Sequence, residues 1–309
     1  MFSVSKEEDY KKRQFSAENS VAVFGFFFGA TRYKRTDIYM GTLAKRLQQI
    51  ASRSLESESS NIIKTVAANK HGLSKALDTT LRTSHDMKVF GLGTAASMSS
   101  LERYARFTTS MHAVYSTMER NLDASPSKAN ASVWHPFGEA LRRAPSLQTD
   151  LDEAIALAPL DDPPARTPAT DAYVAAIDAA AQADAANGGA RLIGHLYCRY
   201  FADLFGGQAL AGPYRWALDL GSDSPRHYDF GEFGTKRRES VQAIYAAINE
   251  AGDALESDAQ REAVVEEARV AFRHNVHVYS EEGKLYTDGA LGLAKMAAGF
   301  GRSRMNARA

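Results

Sequence analysis

Cysteine is almost absent from this chain of 309 residues: Cys198 stands alone. No disulfide can form within the chain, and a zinc site built on cysteines is excluded. A lone thiol suits a reducing intracellular compartment, with an organelle (plastid or mitochondrion) left open. Net charge is absent too. Lys+Arg and Asp+Glu number 37 each, for a formal charge of +0. No global field draws in nucleic acid, and no basic domain stands out. No apolar run approaches the ~18–20 residues that a transmembrane span needs. The longest, Val21 to Ala30 (VAVFGFFFGA), follows acidic Glu7, Glu8 and Asp9, whereas targeting presequences are basic and poor in acid. Alternating strand patterns and internal repeats are missing as well. What remains is 44% hydrophobic residues, enough for a substantial core, in stretches of helical period.

The chain is organised around Arg191 to Leu210, RLIGHLYCRYFADLFGGQAL. Leu192, Ile193, Leu196, Tyr197, Tyr200, Phe201 and Leu204 recur at helical spacing, which predicts a buried helix. Asp203 places a carboxylate at an interior position. Gly206-Gly207 interrupts the pattern, each glycine costing roughly 1 kcal/mol against alanine. A glycine pair lets the backbone bend and lets something flat come close. His195, Arg199 and Asp203, four residues apart, form a polar stripe. Spacing alone also admits a helix that ends at Gly206, with Arg199 and Asp203 as an ordinary ion pair.

Tyr197 to Gln208, YCRYFADLFGGQ, resembles the distal helix of heme oxygenases of the animal and cyanobacterial type. That signature is an Arg-Tyr pair, an Asp, two glycines and a Gln. In that family the helix bends over the heme, the glycines let it lie close, and the Asp orders the water that delivers protons to oxygen. The resemblance implies a catalytic role for Asp203, supported by Arg199, and heme contact for Gly206 and Gly207. Upstream, Leu73, Leu77, Leu81 and His85 keep steps of four, which sets the histidine on the apolar face of a helix over Leu73 to Phe90. By itself such a histidine reads as a core residue. Leu73-Ser74-x-Ala76-Leu77 followed by His85 matches the family's first helix, whose histidine is the proximal ligand of the heme iron, and a buried imidazole stays neutral and suited to iron.

Leu101 to Asn121 is a second amphipathic helix, and its Tyr115 matches a tyrosine of the family's distal hydrogen-bond network. Asn121 to Ala131 reads as a loop. Pro136 to Leu151 resembles the family's middle segment, in which an Arg-rich turn precedes a short helix. Asp161-Asp162-Pro163-Pro164 breaks any helix. Ala172 to Ala186 is helical, stopped by Asn187-Gly188-Gly189. Gly212-Pro213 and Gly221 to Gly234 read as turns. Glu239 to Ala254 and Ala263 to Glu282 are the closing helices. In the second, Glu266, Glu267, Ala268, Ala271, Phe272 and Asn275 match the family, and Phe272 corresponds to a phenylalanine of the heme wall. His274 and His277 are three apart, but no third metal ligand is near, so they read as a solvated pair.

The resemblance therefore implies an all-α, heme-oxygenase-like helical bundle over residues 71–283. An N-terminal extension (1–70) precedes it and a C-terminal tail (284–309) follows. Leu43, Leu47 and Ile50 give the extension a helical stripe, and Phe24, Phe26, Phe27 and Phe28 give it a cluster that would dock on its own domain, on a protein partner or on a membrane surface, or else belong to an uncleaved targeting segment. Many animal heme oxygenases carry a hydrophobic C-terminal anchor; Arg302 to Ala309, RSRMNARA, offers none. The implied activity is cleavage of heme to biliverdin, carbon monoxide and ferrous iron, with electrons from a reductase or ferredoxin.

Four positions depart from the family pattern. Ala202 stands for a glycine, and Phe205 for a small residue. Asp78, seven residues before His85, and Ala246, after Tyr245, stand where basic residues grip the heme propionates. A carboxylate facing a propionate repels it. Lys236, Arg237 and Arg238 lie near Ala246 and offer substitutes. The alternative implied by these losses is a catalytically inactive subunit of the same fold, docked in a larger, organellar complex through its two ends. A di-iron oxidase is disfavoured: such sites use Glu-x-x-His, and no histidine here has a carboxylate three residues before it.

Overall fold

The computed structural model describes residues 70–309 apart from 85–86, 159, 161–163, 206, 232, 234–236 and 307–309. The Phe-rich run and the helical stripe of the extension, His85 and Gly206 lie outside the described residues. Eleven α-helices and no strand are present among those described. They are α1 (Gly72–Ser84), α2 (Met87–Ser97), α3 (Leu101–Asp123), α4 (Lys128–Leu141), α5 (Ala144–Leu157), α6 (Pro168–Asn187), α7 (Arg191–Phe205), α8 (Ala211–Leu218), α9 (Arg237–Asp253), α10 (Asp258–Ser280) and α11 (Leu285–Asn306).

Their ends follow local chemistry. Ser100, Ser127, Thr167 and Ser257 each stand in extended conformation, and each hydroxyl accepts from the third residue of its helix (α3, α4, α6 and α10), satisfying one of the amide groups that a helix start leaves over. Gly188 closes α6 at φ +66°, a left-handed position that suits glycine. Gly212 and Pro213 do not make the expected turn. They lie in the first turn of α8, where the proline's missing N–H leaves no intrahelical bond unmade. The expected loop at 121–131 shrinks to the residues between Asp123 and Lys128, and the stretch Leu73 to Phe90, expected to be helical, is helical on both sides of residues 85–86, as α1 and α2.

At the centre lies α7, against α10 on one side and α3, α4 and α6 on the others. Leu192, Ile193, Leu196, Tyr200 and Leu204 are fully buried along it. Gly194 lets α10 approach: a Cβ there would sit 2.6 Å from the Val264 carbonyl oxygen. α7 is described to Phe205, and beyond Gly206 a 3-10 turn over Gly207–Leu210 leads into α8.

The segment read from sequence as a C-terminal tail contains α11, which packs on α2 and α8. Its seam is lined by glycine. A Cβ on Gly292 would lie 1.7 Å from the Ala95 carbonyl oxygen, and one on Gly299 would lie 1.8 Å from that of Trp216. Arg103 clasps the junction between α10 and α11, with Nη1 2.5 Å from Asp288 Oδ2 and Nη2 donating to the Gly283 carbonyl at 3.0 Å.

Candidate active site

The carboxylate picked out on the central helix is buried: Asp203 is 6% exposed. Helix geometry places Arg199 one turn before it, and α3 crosses alongside. The Tyr115 hydroxyl donates to Asp203 Oδ2. Arg199 Nη2 stands 3.9 Å from the same oxygen, and the guanidinium lies over the Tyr115 ring, 5.2 Å from its centroid. The structure thus brings together the three residues proposed for catalysis. Asn275 on α10 accepts from Arg199 Nη1 at 3.0 Å, and Met111 Sδ takes Nη2 at 3.3 Å. Arg199 Nε is buried and has no partner among the described residues.

Burial dictates the protonation of this cluster. It pushes the Tyr115 phenol well above its ordinary value, with Asp203 adding to the shift against the pull of Arg199. Burial also works against the Arg199 charge, but Tyr115 and Asp203 outweigh it and hold the guanidinium well above its usual value. At neutral pH the phenol keeps its proton and the guanidinium its charge.

The sequence reading missed what surrounds the cluster. Tyr279, seven residues after Phe272 and on the same face of α10, lies within hydrogen-bonding reach of Arg199 and Thr94; the i, i+7 spacing was the available signal. Glu119 on α3 joins three elements: it accepts from the Arg143 amide at 2.6 Å, the Ala144 amide at 3.1 Å and the Tyr200 hydroxyl at 3.1 Å. Asp150 and His227, paired at 2.7 Å, brace the turn that carries Tyr228. That tyrosine covers Gly207, where a Cβ would meet its ring at 2.7 Å. Nothing in the local sequence pairs residues so far apart.

Other expected residues stand apart from the cluster. Phe272 is buried, and the Phe90 ring of α2 stacks on it at 5.2 Å. Phe90 also packs on Tyr279 at 4.9 Å. The cavity between α2, α3 and α10, bordered by Gly93, Phe107 and Tyr279, holds about 20 Å³, against the ~300–1,000 Å³ of ordinary ligand pockets. Asp78 is not a bare carboxylate: Lys70 Nζ lies 2.7 Å from its Oδ1. His195 pairs with Glu267 on α10 at 3.1 Å instead of joining Arg199 and Asp203. His274 stacks on Tyr173 at 5.4 Å, and among the described residues no group of three His, Cys, Asp or Glu side chains could hold a metal ion. No helix of the described residues is long and apolar enough to cross a membrane.

Comparison with known proteins places this arrangement. The model of the heme oxygenase family matches residues 71–281. A heme oxygenase of Rhodella violacea is 28% identical over 58% of this chain and 72% of its own length. Heme oxygenase 1 of Gallus gallus is 28% identical over 60% of each, so the chain spans less than two thirds of that relative. Among solved structures, heme oxygenase-1 of the cyanobacterium Synechocystis in complex with heme superposes with a TM-score of 0.56 at 22% identity, over 77% of this chain and 100% of that one. Heme oxygenase 2 of Chlamydomonas reinhardtii without heme gives 0.56 at 21% identity, over 68% and 96%. Identities this low show a shared fold. The family match covers about two thirds of the chain, and the all-α bundle accords with it: this chain belongs to the heme oxygenase family.

Proposed function

We propose that the protein binds heme between the segment bearing His85 and the α7 end, and oxygenates it to biliverdin, carbon monoxide and ferrous iron. A reductase or ferredoxin would supply the electrons. One observation carries this reading: the buried Tyr115–Asp203–Arg199 cluster. A carboxylate with 6% exposure, a protonated phenol and a guanidinium with an unpartnered N–H make a poor core but a suitable cradle for ordered water. The donor set therefore fits a heme site on this face. Heme supplies the oxidation chemistry itself, its iron activating oxygen against the porphyrin edge. His85 would be the iron's protein ligand.

The chain's part is to hold and move protons and to exclude bulk water. Tyr115 Oη keeps its proton and donates a hydrogen bond to Asp203 Oδ2, so that carboxylate is fixed in place with its other oxygen left to accept. Arg199 holds the same carboxylate through charge and is itself fixed by Asn275 and by the face of Tyr115. Its Nε is the donor to which a water beside Asp203 would bind. Fixing these dipoles before reaction removes the cost of reorganising them during it. Heme entry requires Phe90 to leave Phe272, a side-chain and helix adjustment of the kind ligand binding often brings.

A second reading, an inactive subunit of the same fold, is favoured by that Phe90–Phe272 stack and by Ala246. Hemin titration followed at the Soret band separates the two, repeated with His85→Ala, followed by ascorbate or a reductase and a search for the biliverdin spectrum. Binding that depends on His85, with turnover, supports the enzyme. No binding at micromolar hemin supports the subunit.

A further inference from the structure

Ahead of α1 the chain turns back on itself. Gly72 has φ +48°, a conformation natural to glycine, and Asn249 of α9 pins the turn by accepting from the Ser74 amide at 2.9 Å. The reversal sends Lys70 along the outside of α1 to Asp78, where Nζ meets Oδ1 at 2.7 Å. The ammonium lies 5.6 Å from the centroid of the Tyr245 ring on α9. The Lys70 and Asp78 side chains keep 17% and 23% of their exposure, so the pair is largely buried but still touches solvent. Asp78, one of the two positions where a basic residue is missing, thus has a cation from outside the helical motif as its neighbour, and that cation also lies by the Tyr245 ring, one residue before the other such position.

We infer that Lys70 is the residue that receives a heme propionate, and that Asp78 is its internal competitor, holding the ammonium until a ligand carboxylate displaces it. The inference rests on the heme reading above. Charge alone argues for it: an ammonium between a carboxylate and an aromatic face is a preformed carboxylate site whose occupant is the protein's own side chain. Exchange of one carboxylate for another leaves the number of ion pairs at Lys70 unchanged. Affinity is then set by the difference between Asp78 and the propionate.

The test is equilibrium binding of hemin, and of hemin dimethyl ester, to the full chain and to Lys70→Met, Asp78→Asn and the double variant, with urea midpoints to confirm folding. Lys70→Met is expected to weaken hemin binding about five- to tenfold and to leave the ester unchanged, the range of one partly exposed charge-assisted contact. Asp78→Asn is expected to tighten hemin by a few-fold through Lys70, so the gain disappears in the double variant. Wild-type and Lys70→Met proteins that bind hemin equally would overturn the inference and leave the heme reading standing. Hemin bound by neither the wild type nor Asp78→Asn would sink both. Binding by Asp78→Asn alone would support the competitor role and show that Asp78 closes the site.

Discussion

Gly292→Ala should show whether α11 belongs to the fold. A Cβ at this position stands 1.7 Å from the Ala95 carbonyl oxygen, with the Ala95 carbonyl carbon at 2.8 Å. Carbon and carbonyl oxygen approach to roughly 3.3 Å at best, so α11 must back away from α2 by about 1.6 Å. The obstacle is backbone on a packed helix and cannot rotate aside. A gap of ~1 Å already forfeits a quarter to a half of each dispersion contact along the seam, and overpacking of this kind costs ~3 kcal/mol or more. Gly301→Ala on the same helix is the control. Nothing lies within 4 Å of its Cβ, so helix propensity alone acts and stability rises by up to about 1 kcal/mol. Urea unfolding and hydrogen exchange of the α11 amides read both. Equal effects of the two substitutions would refute the docked seam.

Two further expectations concern buried groups. Burial pushes the Cys198 thiol up to about 12, so a thiol reagent at pH 8 should label it only as fast as the protein unfolds; rapid labelling of the native state would contradict its placement. Burial also opposes the Asp150 charge, but the His227 ring and the amides of Arg226 and His227 outweigh it and hold the carboxyl below its ordinary value. A depressed carboxylate contributes stability that is full above its unfolded pKa, near ~3.9, and lost as pH falls through the folded value. Asp150→Asn should therefore lower the urea midpoint at pH 7 and approach the wild type below about pH 4; a gap that stays constant with pH would rule out this origin.

The helices were legible because their apolar residues repeat at helical spacing. The Leu192–Leu204 set on α7 and the Leu73 and Leu77 pair on α1 are buried as that period requires. Caps were legible where one residue decides, as at Gly188. The α11 helix was not, since the buried positions of its inward face are glycines (Gly289, Gly292 and Gly299) and its Leu293, Met296 and Phe300 are only half-buried. The cluster was legible in part: Arg199 and Asp203 are neighbours on one helix, and Tyr115 stood out by family resemblance. The Lys70–Asp78 pair was hidden because a glycine turn, not a helical repeat, brings the two together.

Tyr115 and Asp203 are 88 positions apart in the chain, and Arg199 and Asn275 are 76 apart. No fragment of one helix contains the cluster. Its parts meet only after large loops have closed, and loop closure is slow to be rewarded by contacts. The carboxylate of the finished site thus has only Arg199 of its own helix as a partner until Tyr115 arrives, and the chain gains this chemistry only once α3, α7 and α10 have found one another.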